Sequence, residues 1–158
     1  VINTNAEEMY FSIGAHPAFN CNLGDTLTFE YDETLYSERI DRDSVITGDK
    51  DLILQNSNKI ELTEHLFDKD ALIFPNVKSN YVILNEKKAG KHIRFAFGDS
   101  PFLAIWAKPA APFVCIEPWY GVNDSYEKAT DFSKKRGIQK LSSGEKFEFS
   151  WSAEFKED

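Results

Sequence analysis

Regular alternation of apolar and polar side chains is the feature that most limits how this chain can fold. Between Lys146 and Phe155 the even positions are polar and the odd positions are apolar, namely Phe147, Phe149, Trp151, Ala153 and Phe155. Side chains two residues apart share a face of a β-strand, so this segment is predicted to be a strand with one buried face. Similar patterns predict strands at 26–31, 52–55, 60–62, 71–74, 81–84, 92–97 and 102–107.

Composition limits the class of protein and of ligand. The chain has 158 residues, of which 42% are hydrophobic, and this is enough for one domain with a substantial core. Many short strands with little helical periodicity indicate an all-β, antiparallel β-sandwich. A net charge of −8 argues against nucleic acid and anionic membrane surfaces as partners. A neutral small molecule is therefore the expected ligand. No segment is long enough to cross a membrane as an apolar helix.

One carboxylate, Glu117, stands among apolar and aromatic residues in the segment 113–121. Burying an ionised carboxylate without partners costs several kcal/mol, so a glutamate in such a run is expected to have a hidden partner or a catalytic purpose. In an extended strand Glu117 shares a face with Phe113, Cys115 and Trp119, while Val114 and Ile116 face a core.

A titratable residue directly precedes a proline twice, at His16–Pro17 and at Glu117–Pro118. Proline restricts the preceding residue to extended geometry, and we expect Pro118 to end regular strand pairing. Asn20 adds an amide close to His16 in the sequence. A carboxylate that accepts a proton and an imidazole that donates one near neutral pH suit proton shuttling. The alternative interpretation of His16 is a hydrogen-bonded turn residue.

The segments 14–20 (GAHPAFN) and 115–121 (CIEPWYG) resemble, in order and spacing, two motifs of the aldose 1-epimerase (mutarotase) family, specifically of its LacX-like branch. The resemblance implies the large twisted β-sandwich of that family. It also implies that His16 protonates the ring oxygen of an aldohexose, while Glu117 takes the proton from the anomeric hydroxyl. The alternative is a carbohydrate-binding β-sandwich without turnover.

The resemblance also implies a role for Asp70, which matches the family aspartate that accepts hydrogen bonds from sugar hydroxyls. Read from the sequence alone, Asp70 belongs to an ordinary solvated turn. Trp119 is a candidate platform for the sugar ring, or else a core anchor. A further alternative uses Glu117 and Asp70 as the carboxylate pair of a glycoside hydrolase, but it leaves the His16 motif without a role.

The reaction class requires no cofactor, because opening a hemiacetal needs only one acid and one base. The sequence contains no phosphate-binding glycine loop and no paired Cys or His spacing typical of zinc sites, so we expect no cofactor and no metal. Cys21 and Cys115 are expected to be reduced thiols, and no signal peptide is present, which favours the cytoplasm.

The chain starts at Val1 without a methionine and enters a strand-like segment almost at once. Residues 1–158 are therefore expected to form a single domain that is the C-terminal portion of an aldose 1-epimerase-like β-sandwich. A partial sandwich would expose strand edges and apolar surface, so we expect a monomer or a weak homodimer.

Overall fold

The computed structural model describes residues 1–87, 90–127 and 131–157. Its strands are β1 (Met9–Phe11), β2 (Ile13–Gly14), β3 (Ala18–Asn20), β4 (Thr26–Ile40), β5 (Ile46–Glu61), β6 (Leu72–Pro75), β7 (Tyr81–Asn85), β8 (Lys91–Ala96), β9 (Phe102–Trp106), β10 (Phe113–Tyr120), β11 (Gln139–Leu141) and β12 (Ser152–Glu157). A short 3-10 helix spans Phe132–Lys134. Within the described ranges, no helix has the length and hydrophobicity needed to span a membrane. The all-β prediction is confirmed.

One large antiparallel sheet organises the molecule. Its successive neighbours are β12, β8, β7, β4, β6, β9, β10 and β2. The long strand β5 pairs with β4, and β3 pairs with β10 beyond the end of β2. Strands β1 and β11 form a separate two-stranded sheet. The segments 52–55 and 60–62, predicted as separate strands, fall in or at the end of the single strand β5.

The central strands are buried on both faces, which explains why their sequences are continuous apolar runs. In β9, Leu103 and Ile105 belong to the main core, whereas Phe102 and Ala104 belong to a smaller cluster on the opposite face. We call this smaller cluster the second core; its buried members are Ile46, Ile73, Phe102, Ala104 and Val122. The candidate site lies on the face of the second core.

The expectation that Pro118 ends strand pairing is wrong. Strand β10 continues to Tyr120, and Pro118 lies opposite Leu103 of β9. On its other side Pro118 lies opposite the break between β2 and β3, where its carbonyl accepts the Ala15 N–H at 3.0 Å. Regular pairing is already interrupted at this break, so the missing proline N–H removes no ladder hydrogen bond there.

The predicted strand at 146–155 is only partly present. Regular pairing with β8 occupies Ser152–Glu157, while Lys146 makes an isolated bridge to Ile2. Between them Phe147 and Phe149 pack on the ring of Tyr120, with centroid distances of 5.0 and 5.2 Å. The prediction of a buried aromatic face is also wrong at the end of the segment, where Phe155 is 70% exposed.

Candidate functional site

The imidazole of His16 contacts the carboxylate of Glu117, with 2.7 Å between Nδ1 and Oε2. These residues lie far apart in the sequence, and strand register brings them together. Strand β10 pairs with β2 through Gly14 and Trp119, and with β3 through Ala18 and Cys115. His16 occupies the break between β2 and β3, directly beside β10.

The two members of this pair have opposite environments. The His16 side chain is 64% exposed, whereas the Glu117 side chain is 3% exposed. The indole Nε1 of Trp119 donates a second hydrogen bond to Oε2 of Glu117, at 3.2 Å. Burial raises the pKa of the Glu117 carboxyl above its ordinary value of 4.5, while His16 and the Trp119 N–H act in the opposite direction. The result is a buried carboxylate in contact with an exposed imidazole, an arrangement that can accept and donate protons.

A glycine permits the position of Trp119. A Cβ on Gly14 would lie 2.7 Å from Cδ1 of the indole and 3.1 Å from the Pro118 carbonyl oxygen. A larger residue at this position would therefore push the indole away from Glu117. The indole and His16 line a cleft of about 370 Å³, formed by the segments 12–16 and 119–123. This volume falls within the usual range of small-molecule sites.

Two of the predicted binding residues lie elsewhere. Asp70 has a positive φ of 76°, and its Oδ1 accepts the Ala71 N–H at 2.7 Å, as in the turn interpretation. It lines a second cleft, of about 400 Å³, together with Arg39 and Asp51. Asn20 is exposed on β3 and lines a third cleft, beside Phe155. The structure thus gathers His16, Glu117 and Trp119 and leaves Asp70 and Asn20 in other clefts.

Two further neighbours of this pair, Trp106 and Cys115, are not among the predicted site residues. The rings of Trp106 and His16 are 6.4 Å apart, and Trp106 is the last residue of the apolar strand β9. The thiol of Cys115 lies beside His16 and Glu117, because Cys115 precedes Glu117 by two residues on the same face of β10. Burial, together with the Glu117 carboxylate, raises the pKa of the Cys115 thiol to about 11. Alternation along 113–119 already predicts that Cys115 shares a face with Glu117.

A second buried glutamate lies on the same face of the sheet. Glu38 of β4 is opposite Ile73, Ile73 is opposite Ala104, and Ala104 is opposite Glu117. With neighbouring strands ~4.8 Å apart, the two glutamates are separated by roughly 14 Å. Glu38 is bound by the guanidinium of Arg136, with 2.9 Å between Nη1 and Oε1. Two apolar side chains, Ile73 and Ala104, therefore separate two buried carboxylates with different partners.

Comparison with known proteins assigns this chain to a family. The sequence profile of the family described as aldose 1-epimerase matches residues 1–152. The plasmid-encoded protein LacX of Lactococcus lactis subsp. lactis is 34% identical over 152 residues, which cover 89% of this chain and 51% of LacX.

Solved structures show the same fold. A galactose mutarotase related enzyme from Lactobacillus acidophilus superposes with a TM-score of 0.88 at 28% identity, covering 98% of this chain and 55% of that protein. A galactose mutarotase-like protein from Lactobacillus casei ATCC 334 gives a TM-score of 0.87 at 29% identity, covering 98% and 56%. The chain spans about half the length of these relatives. The profile match confirms the resemblance seen in the two motifs, and the chain belongs to the aldose 1-epimerase family.

Proposed function

We propose that this chain carries the acid and the base of an aldose 1-epimerase, which interconverts the α and β anomers of a hexose. The observation that carries the proposal is the 2.7 Å contact between His16 Nδ1 and Glu117 Oε2 beside an accessible cleft. Both residues stand in the motifs that resemble those of the family.

The reaction needs one proton removed and one delivered. Glu117 takes the proton from the anomeric hydroxyl, the C1–O1 bond becomes a carbonyl, and the bond from C1 to the ring oxygen breaks. His16, in its imidazolium form, protonates that ring oxygen. Rotation about the C1–C2 bond presents the other carbonyl face, and ring closure returns each proton to its donor. A positioned acid or base contributes typically 10²–10⁴-fold to the rate.

The burial difference between the two groups divides their roles. Glu117 is held in place by the sheet and by the Trp119 N–H, so it presents a fixed oxygen to the anomeric hydroxyl. His16 is largely exposed, so its ring can swing aside to admit the sugar. The hydrogen bond between them opens when the sugar enters, and the two groups then act on neighbouring oxygen atoms of one ring.

Trp119 is proposed as the apolar platform beneath the sugar ring, because the indole borders the cleft and also binds the base. Asp70 and Asn20 stay predictions as partners of sugar hydroxyls. Both line clefts other than that of His16, so a hexose bound at His16 reaches them only if it extends beyond this cleft.

The relatives are about twice as long as this chain, so the activity of a whole protein, its preferred hexose and its association as a monomer or weak homodimer are likewise proposals. The cytoplasm is the proposed compartment, and the free, buried thiols of Cys21 and Cys115 agree with a reducing environment.

Polarimetry of freshly dissolved α-D-glucose and α-D-galactose tests the proposal. The chain is expected to accelerate the decay of optical rotation, and Glu117→Gln is expected to remove about 10²–10⁴-fold of the acceleration, because an amide cannot accept the proton. Glu148→Gln makes the same change on an exposed surface and serves as the matched control. Full turnover by Glu117→Gln would refute the assignment of the base.

A sugar-binding protein without turnover is the second candidate, and the 3% exposure of the Glu117 side chain favours it. In that case His16 covers the carboxylate permanently, and the aromatic cleft binds sugar without ring opening. Calorimetric titration with α-D-galactose separates the two functions. Heat of binding without any acceleration in the polarimeter would establish the second candidate.

A further inference from the structure

Three side chains with metal-binding atoms meet beside the cleft. Nδ1 of His16, Sγ of Cys115 and a carboxylate oxygen of Glu117 all lie within 4.8 Å of one another. Cys115 and Glu117 project from the same face of β10, and His16 reaches them from the break between β2 and β3. The sequence spacing did not predict this group, because one donor comes from a different strand.

The distances suit a small tetrahedral cation. Zinc binds thiolate sulfur at ~2.3 Å, imidazole nitrogen at ~2.0–2.1 Å and carboxylate oxygen at ~2.0–2.2 Å, which places tetrahedral donors roughly 3.3–3.7 Å apart. Donors within 4.8 Å reach these separations through shifts of about 1 Å. The required movement falls mainly on His16, whose side chain is 64% exposed.

Charge and donor type select the class of cation. As whole residues, Cys115 and Glu117 are each 2% exposed, so a cluster with a net charge would be costly to bury here. A divalent cation bound by one thiolate and one carboxylate forms a neutral cluster, and neutrality removes most of that cost. Sulfur and imidazole donors favour Zn²⁺ and Co²⁺, whereas Mg²⁺ and Ca²⁺ prefer oxygen ligands.

We propose that His16, Cys115 and Glu117 form a binding site for a thiophilic divalent cation such as Zn²⁺ or Co²⁺. Three protein ligands leave the fourth tetrahedral position for water on the side of the cleft. Binding breaks the hydrogen bond between His16 and Glu117, and His16 in its imidazolium form releases the Nδ1 proton to solvent. The Cys115 thiol releases a second proton as the metal–sulfur bond forms.

The bound cation acts as a reversible inhibitor of the proposed epimerase. It occupies the lone pairs of His16 Nδ1 and Glu117 that proton transfer requires, so cation and sugar exclude each other. The binding site itself requires neither the sugar nor the reaction. Binding measured without sugar therefore tests the site separately from the proposed function.

Titration of the sugar-free chain with Co²⁺ provides the test, because a cobalt–thiolate bond gives a near-ultraviolet charge-transfer band. We expect this band to saturate at one Co²⁺ per chain, with release of the Cys115 proton and of any proton held on Nδ1 of His16, and to disappear when EDTA is added. Cys115→Ser is expected to abolish the band and to weaken binding by at least ~100-fold, the upper end of the loss seen for outer-shell partners. Cys21→Ser, which changes the other buried thiol, is the matched control and should retain the band.

The proposal is overturned if the native chain shows no such band, or if Cys115→Ser titrates like the native chain. It is equally overturned if Cys21→Ser, rather than Cys115→Ser, loses the band. Should Cys115→Ser fail to fold, Glu117→Gln keeps the thiol and decides the question. This variant is expected to retain a thiolate band with about tenfold weaker binding, and unchanged affinity would exclude Glu117 as a ligand.

Discussion

Glu117 and Glu38 lie on one face of the same sheet, and both are buried, but their partners differ. Glu38 is held by two nitrogens of Arg136, a guanidinium that keeps its charge at any physiological pH, with Lys50 Nζ at 3.8 Å. Glu117 is held by His16, which can gain or lose a proton, and by the neutral indole of Trp119. The first arrangement fixes a charge, whereas the second allows a proton to move.

The comparison shows that burial alone does not identify a catalytic carboxylate. Glu33 is also buried, yet its Oε1 accepts hydrogen bonds from the backbone N–H and the hydroxyl of Ser79, which anchors a turn. The useful criterion is the combination of a buried carboxylate with a titratable histidine partner that is itself exposed to solvent. Among these three glutamates, Glu117 meets it.

The largest expected effect concerns the histidine partner. His16→Asn should slow mutarotation by about 10²–10⁴-fold in the polarimetric assay, because an amide cannot protonate the ring oxygen. His65→Asn is the matched control, since His65 also contacts a carboxylate, Asp68, at 2.9 Å, but at an exposed position. If both substitutions slowed mutarotation equally, the burial of the partner carboxylate would not matter for the rate.

A smaller effect is expected on stability at Glu38. Arg136→Met should lower the free energy of unfolding by about 3 kcal/mol, because it leaves a carboxylate with 4% side-chain exposure beside the more distant Lys50. Methionine preserves apolar packing against Phe102. Lys50→Met, at an exposed cation, should cost less than ~1 kcal/mol. Urea denaturation measures both, and an unchanged midpoint for Arg136→Met would remove the contrast between the two glutamates.

The smallest effect is a shift in pH dependence. Trp119→Phe removes the N–H that stabilises the ionised Glu117, so the already raised pKa of this carboxyl should rise further. Because the base must be ionised, the acid limb of the rate profile should move to higher pH. Trp106→Phe, which changes an indole near the His16 ring, is the control and should leave this limb in place. Movement of the limb to lower pH would contradict the assigned hydrogen bond.

The same raised pKa has a defined consequence for stability. The folded protein binds the Glu117 proton more tightly than the unfolded chain, so this contribution to stability is complete below the unfolded pKa. It is lost as the pH rises through the higher folded pKa. Glu117→Gln should remove this pH dependence from urea denaturation curves measured from acidic to neutral pH, and an unchanged dependence would assign it to other groups.

The sequence by itself determined the class of fold and the family, and it singled out His16 and Glu117 as the proposed acid and base. Alternation identified most strands because side chains two residues apart share a face, a local property of the chain. It failed at 146–151, where packing of Phe147 and Phe149 on Tyr120 replaces regular pairing. Alternation indicates which side chains of a segment can share a face, but it does not indicate which other strand, if any, the segment pairs with.

Only the tertiary structure decided which residues share a site. The register of β10 with β2 and β3 brings His16 to Glu117 and Cys115, and it places Pro118 where a missing N–H costs nothing. Asp70 matched a family residue in sequence, yet its turn lies at another cleft. The physical reason is that a hydrogen bond or a metal site depends on distances of a few ångströms between atoms remote in sequence, and strand pairing alone sets those distances.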